Sequence, residues 1–125
     1  MVLLLRRSQR VGAYRGKWAG ISGFIEGPPD LQVLIEIDEE TGLHGKAELD
    51  FIAKGEPLFV EDEGLGVRWL VHPYLFHVHD RSKIRLDWEH EEAKWVPPED
   101  IGSYDTVPML REILASVYRL GKGTL

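Results

Sequence analysis

The chain has no cysteine. Disulfides, thiolate metal sites and a cysteine nucleophile are therefore excluded. Asparagine is also absent, and Gln9 and Gln32 are the only glutamines. Few thermolabile amides beside many Glu, Arg and Lys is a composition seen in thermophiles. Long apolar runs are missing too. The longest, Met1 to Leu5, falls far short of the ~20 residues that span a bilayer. Arg6 and Arg7 follow it at once, the reverse of the charge order in a secretory signal. With no sorting signal, the expected location is the cytoplasm.

What remains is an ordinary globular composition. The 125 residues, 14.3 kDa, suit one domain over residues 1–125, and 43% hydrophobic with 29% charged residues excludes a disordered tail, a collagen-like fibre or a coiled-coil rod. The net charge of −6 argues against general nucleic-acid binding. Its distribution is uneven: residues 1–25 carry Arg6, Arg7, Arg10, Arg15 and Lys17 and no acid. A basic front beside an acidic body suits a small polyphosphate held against metal-binding carboxylates, while a solvated basic loop is the plainer reading of the sign pattern alone.

Val2 to Leu5 reads as a strand and Arg6 to Gly16 as a basic loop. Trp18 to Ile25 is a glycine-punctuated strand, and Gly27-Pro28-Pro29 is a break before Asp30, a good helix N-cap. The spacing of Leu31, Leu34 and Ile35 predicts the buried side of the helix that follows, and Gly42 ends it in the left-handed conformation. Lys46 to Lys54 and Pro57 to Val60 read as strands, with Glu61 to Gly66 as an acidic turn. Val67 to Val78 reads as one long strand with Pro73 as a kink or edge site. Glu92 to Val96 is a further strand and Pro97 to Asp100 a loop. Thr106 is expected to cap a last helix, Val107 to Leu120, whose stripe is Leu110, Ile113, Leu114, Val117 and Leu120. Strands with two helices give an α+β or α/β sandwich.

The most informative stretch is Glu36-Ile37-Asp38-Glu39-Glu40-Thr41-Gly42-Leu43. Glu36, Glu39 and Glu40 stand at i, i+3 and i+4, on one helical face. They also occupy the last turns, where the helix dipole disfavours each carboxylate by roughly 0.3–1 kcal/mol. A cation would offset both costs. Oxygen donors with no cysteine in the chain suit Mg2+ or Mn2+ rather than Zn2+. The alternative is a solvated acidic face.

Gly23 to Leu43 resembles the Nudix box, G-x5-E-x7-REUxEExGU with U aliphatic. Gly23 matches its first glycine, and Glu36, Ile37, Glu39, Glu40, Gly42 and Leu43 match its closing half. Leu3 to Ser8, Gly16-Lys17-Trp18 and the late segment Glu89 to Glu99 extend the resemblance over nearly the whole chain. Three departures stand out. Gly23 and Glu36 are 13 positions apart, two fewer than the box requires, and Ile35 stands where the box has an arginine that orients its carboxylates. The chain also begins within an early strand, so an N-terminal strand usual in the family is expected to be absent, and a homodimer that completes the sheet is compatible with this.

The resemblance implies an α/β/α sandwich around a central mixed sheet. It implies Mg2+- or Mn2+-dependent hydrolysis of a phosphoanhydride in a nucleoside diphosphate linked to another group, of the nucleotide-sugar or ADP-ribose class. Carried over by position, Glu36, Glu39 and Glu40 bind metal with the Gly23 carbonyl, and Glu36 is a candidate base. A late acid completes the catalytic set, Glu89 first, then Glu91 or Glu92, with Glu26 on the box loop as a further candidate. Arg6, Arg7 and Arg15 are candidate phosphate ligands, and Trp18 or Trp69 could stack on a base. The rival readings are a nucleotide or sugar-phosphate binding module that kept the fold and lost the chemistry, and an interaction protein. His72, His77 and His79 read as surface histidines, since His72 and His77 differ in strand parity.

Overall fold

The structure is a computed structural model that describes residues 1–123, with side chains through Arg119. In chain order the elements are β1 (Val2–Arg7), β2 (Trp18–Ala19), α1 (Pro29–Thr41), β3 (Leu49–Lys54), β4 (Leu58–Asp62), β5 (Val67–Val71), β6 (Tyr74–Val78), β7 (His90–Val96) and α2 (Leu110–Gly123). The result is an α+β fold with three antiparallel sheets among the described residues, β2-β1-β7, β3-β6 and β4-β5. A parallel bridge between Trp18 and Thr106 adds the one pairing of opposite sense among the described residues.

Several boundaries differ from the sequence expectations. The segment Val67 to Val78 is two strands, not one. Pro73 has no N–H to give a ladder, and the chain changes partner there, from β4 to β6's partner β3. The buried Pro73 instead accepts a hydrogen bond from the Gly55 amide at 2.9 Å. The strand from Trp18 stops at Ala19 rather than Ile25, just before the first of its glycines. The segment Pro97 to Asp100, read as loop, instead enters a 3-10 helix, Pro98–Ser103, that buries Ile101.

Both helices start elsewhere than expected. Pro28 is the cap residue of α1 and Pro29 opens its first turn, so Asp30 lies inside the helix. The Asp30 carboxylate accepts from Lys54 Nζ at 2.9 Å and from the Tyr74 hydroxyl, tying α1 to β3 and β6. Thr106 does not cap α2. Its hydroxyl donates to the Val107 carbonyl, the Val107 amide bonds Trp18, and the chain turns through Met109 (φ 65°) before Leu110.

The face of α1 is the largest correction. Leu31, Leu34 and Ile35 are 60%, 44% and 48% exposed. The helix docks instead through Val33 and Ile37, which pack with Leu43, Leu49, Phe76 and Val78. Two apolar stripes compete on this helix, and the one selected also carries Glu36, Glu40 and Thr41. Gly42, at φ 76°, turns the chain so that Leu43 buries beside Ile37 on the docked face. On α2, Leu110 and Leu114 meet the second cluster of Leu4, Val96 and Ile101, and Val117 is buried as expected. The side chain of Leu120 lies outside the described residues.

Candidate active site

The inward stripe of α1 brings Glu40 into the protein, where it is 2% exposed. Its neighbour is supplied by an irregularity in β7. On β1, Arg6 pairs with Glu92 and Arg7 with His90, so Glu91 is an extra residue without a partner. Such a bulge re-aims the side chains beyond it. Residues paired directly share a sheet face, so the bulge turns His90 onto the face of Arg7 and the fully buried Leu5 rather than that of Glu92. His90 Nε2 then lies 3.6 Å from Glu40 Oε1, and Nδ1 lies 3.0 Å from Asp87 Oδ1. The preceding segment is pinned by Ser8, whose amide donates to the Glu89 carbonyl at 2.8 Å and whose hydroxyl donates to the Trp88 carbonyl at 2.9 Å.

Glu40, Glu89 and His90 each offer a donor atom within 4.8 Å of the others. Burial pushes the Glu40 carboxyl up to about 9, with the charges of Glu89 and Glu36 adding to it and the Ser22 amide opposing. Burial and Asp87 raise Glu89 as well, against His90 and Arg7. Glu40 Oε2 is buried with no hydrogen-bond partner. A buried carboxylate oxygen without a partner, among further carboxylates, fits a divalent cation.

Glu36 lies one turn before Glu40 and is held from two sides. Gln32 Nε2 donates to its Oε1 at 2.8 Å. A Cβ placed on Gly23 would stand 2.1 Å from its carboxyl carbon, so only glycine allows this approach. Ile35, at the position of the orienting arginine, is on the outer surface, and Gln32 makes the contact instead.

The other candidates are placed as follows. Glu39 and Glu26 are exposed. Glu91 and Glu92 face Arg6 at 3.4 and 3.7 Å. The Nε atoms of Arg6, Arg7 and Arg15 donate to the carbonyls of Gly16, Ala13 and Val11 and so order the loop after β1. Of the three, Arg7 has its charge felt by Glu89. Trp18 is edge-on to Tyr104, 5.6 Å between centroids, and packs against the cluster of Leu4, Val96 and Ile101. Trp69 leans on Phe24 at 5.8 Å; Phe24 follows Gly23 and is 73% exposed. His77 and His79 are exposed, and His79 Nε2 is 2.7 Å from Asp50.

Sequence reasoning missed His90, Asp87 and Gln32 as parts of this site. The i, i+4 spacing of Gln32 and Glu36 was available as a signal; the bulge that delivers His90 leaves none.

The NUDIX domain family profile matches residues 1–119. No curated protein gave a significant match. Among solved structures, a C. elegans Ap4A hydrolase in a binary complex superimposes with a TM-score of 0.73 at 21% identity, over 98% of this chain and 86% of that one. A Nudix hydrolase from M. smegmatis, RenU, gives 0.69 at 18% identity, covering 98% and 73%. The MutT protein of Methanosarcina mazei Go1 gives 0.62 at 26%, covering 98% and 83%. Among the described residues, no helix is long and apolar enough to cross a membrane. A profile match over almost the whole chain, a shared fold and a buried acidic cluster at the end of the box helix together say that the chain belongs to the Nudix family of hydrolases.

Proposed function

We propose that the protein hydrolyses a phosphoanhydride in a nucleoside diphosphate linked to another group, with a divalent cation, Mg2+ or Mn2+, at Glu36, Glu40 and Glu89. The observation that carries this reading is the buried Glu40 carboxylate with its unpartnered Oε2 beside two further carboxylates. When bound, the cation neutralises phosphate charge and makes water a better nucleophile. The chain's own part is positioning. Gln32 fixes Glu36, for which the alternative to binding the cation is to accept a proton from the attacking water. The Gly23 carbonyl is a further candidate ligand, and Glu39 stands at the rim on the outer helix surface. Arg7, next to Glu89, steadies the anionic substrate. The exposed Phe24, leaning on the half-buried Trp69 beside Gly23, offers a stacking surface for a base. Dinucleoside polyphosphates and oxidised nucleotides stand beside the nucleotide-sugar and ADP-ribose classes as substrates to test, the first supported by the Ap4A hydrolase among the neighbours. A cytoplasmic location, a thermophilic source, a single domain over the full chain and a homodimer remain part of this proposal.

The short box loop and Ile35 favour the second reading, a nucleotide-binding module without turnover. Formation of nucleoside monophosphate from a panel of nucleoside diphosphate-X compounds, with and without Mg2+ or Mn2+, decides between them. Metal-dependent turnover by the wild type, lost in Glu40→Gln, is expected. Nucleotide binding by calorimetry without turnover on the whole panel selects the binding module.

A further inference from the structure

We propose that His90 is a nitrogen ligand of the cation site and that it turns the site's preference away from Mg2+ towards borderline transition ions such as Co2+, Fe2+ or Zn2+. The inference rests on the metal-site part of the functional reading and not on the reaction.

Four observations support it. His90 is buried, with its side chain 1% exposed, and one of its ring nitrogens is among the three donor atoms gathered within 4.8 Å. Donors that share an ion at about 2.1 Å lie between about 3 and 4.2 Å apart, and the 3.6 Å from Nε2 to Glu40 Oε1 falls inside that window. The other ring nitrogen faces Asp87 at 3.0 Å. With Asp87 occupying Nδ1, Nε2 is the ring nitrogen left to face a cation beside Glu40. A carboxylate behind the imidazole is the usual support of a metal-bound histidine. Last, Glu40 Oε2, in a residue 2% exposed, has no protein partner in this same space.

The consequence for metal choice follows from ligand chemistry. Mg2+ prefers oxygen and keeps its waters, whereas imidazole suits Fe, Co, Ni and Zn. An all-carboxylate site would not separate these ions by nitrogen affinity; Glu40, Glu89 and His90 would.

The test is titration calorimetry of Co2+ and Mg2+ on the full chain. Wild type should bind Co2+ at least tenfold more tightly than Mg2+ (an order-of-magnitude expectation). His90→Gln should lose roughly 10–100-fold in Co2+ affinity with Mg2+ affinity changed far less, and Asp87→Asn should lose about tenfold in Co2+ affinity. Equal losses for both ions, or none, would overturn the assignment. If His90→Gln fails to fold, the wild type still answers. Substoichiometric Co2+ should broaden the ring resonances of His90 before those of His44, His72, His77 and His79; the reverse order overturns it. Turnover with Mg2+ and no Co2+ preference would remove this inference and leave the hydrolase. Selective Co2+ binding without turnover would do the opposite.

Discussion

At the residue scale, Glu40 shows what the site costs the fold. In the unfolded chain its carboxyl loses a proton near 4.5, while in the folded protein it holds one up to about 9. Folding therefore takes up a proton across this interval, and metal-free stability falls as pH rises through it, by up to about 1.4 kcal/mol per pH unit, then levels off above about 9. Urea unfolding at a series of pH values should show this slope in the wild type and a flatter line in Glu40→Gln. Equal slopes would mean that Glu40 is ionised in the fold. Gln32 provides the second residue-scale prediction. Gln32→Leu should lower kcat about tenfold with KM little changed, because Glu36 loses its orientation while the substrate surface stays intact. A rise in KM alone would put Gln32 in substrate binding. This scale was only half legible in the sequence. Glu36 and Glu40 stand out by spacing, but the charge of Glu39 pattern-matches equally well while its side chain faces outward. Only the rotation of the helix separates them.

At the scale of elements, α1 can be tested for the face it buries. Ile37→Ala should cost about 2–5 kcal/mol, while Leu34→Gln should stay within about 0.5 kcal/mol, both read from denaturant midpoints. The opposite ranking would restore the stripe that periodicity favours. Gly42→Ala should cost roughly 1–2 kcal/mol, since φ 76° is left-handed backbone. The sequence disclosed this cap because a glycine requirement is local. It did not disclose the buried face, because Leu31, Leu34 and Ile35 are more apolar than the stripe of Val33 and Ile37. The docking partners Leu49, Phe76 and Val78 lie far along the chain and decide the matter by tertiary fit. The split of β5 from β6 was half visible in the same way. Pro73 reads as a kink or edge site within one strand, but which ladder each half joins depends on β3 and β4.

At the scale of the molecule, the acidic cluster couples cation binding to stability. A cation held at 100 times its dissociation constant should stabilise the fold by about 2.7 kcal/mol, read as a rise of several degrees in Tm that a chelator reverses. An unchanged Tm would mean that the cluster holds no ion. The fold class and family resemblance were legible because they rest on the box, on β1 and on the late strand, each readable in isolation. The completed site was not, since it needs α1 and β7 to meet across the core. The unpartnered Glu91 in β7 has one consequence for descent. If His90 sets the metal, that property is carried by the strand's count rather than by any ligand's identity. A residue inserted between Arg6 and Arg7 in β1 would pair Glu91, restore regular alternation and put His90 on the face of Glu92, with every ligand still encoded. Loss or gain of a single codon, a step no point substitution reproduces, could then move a lineage of such enzymes between metals.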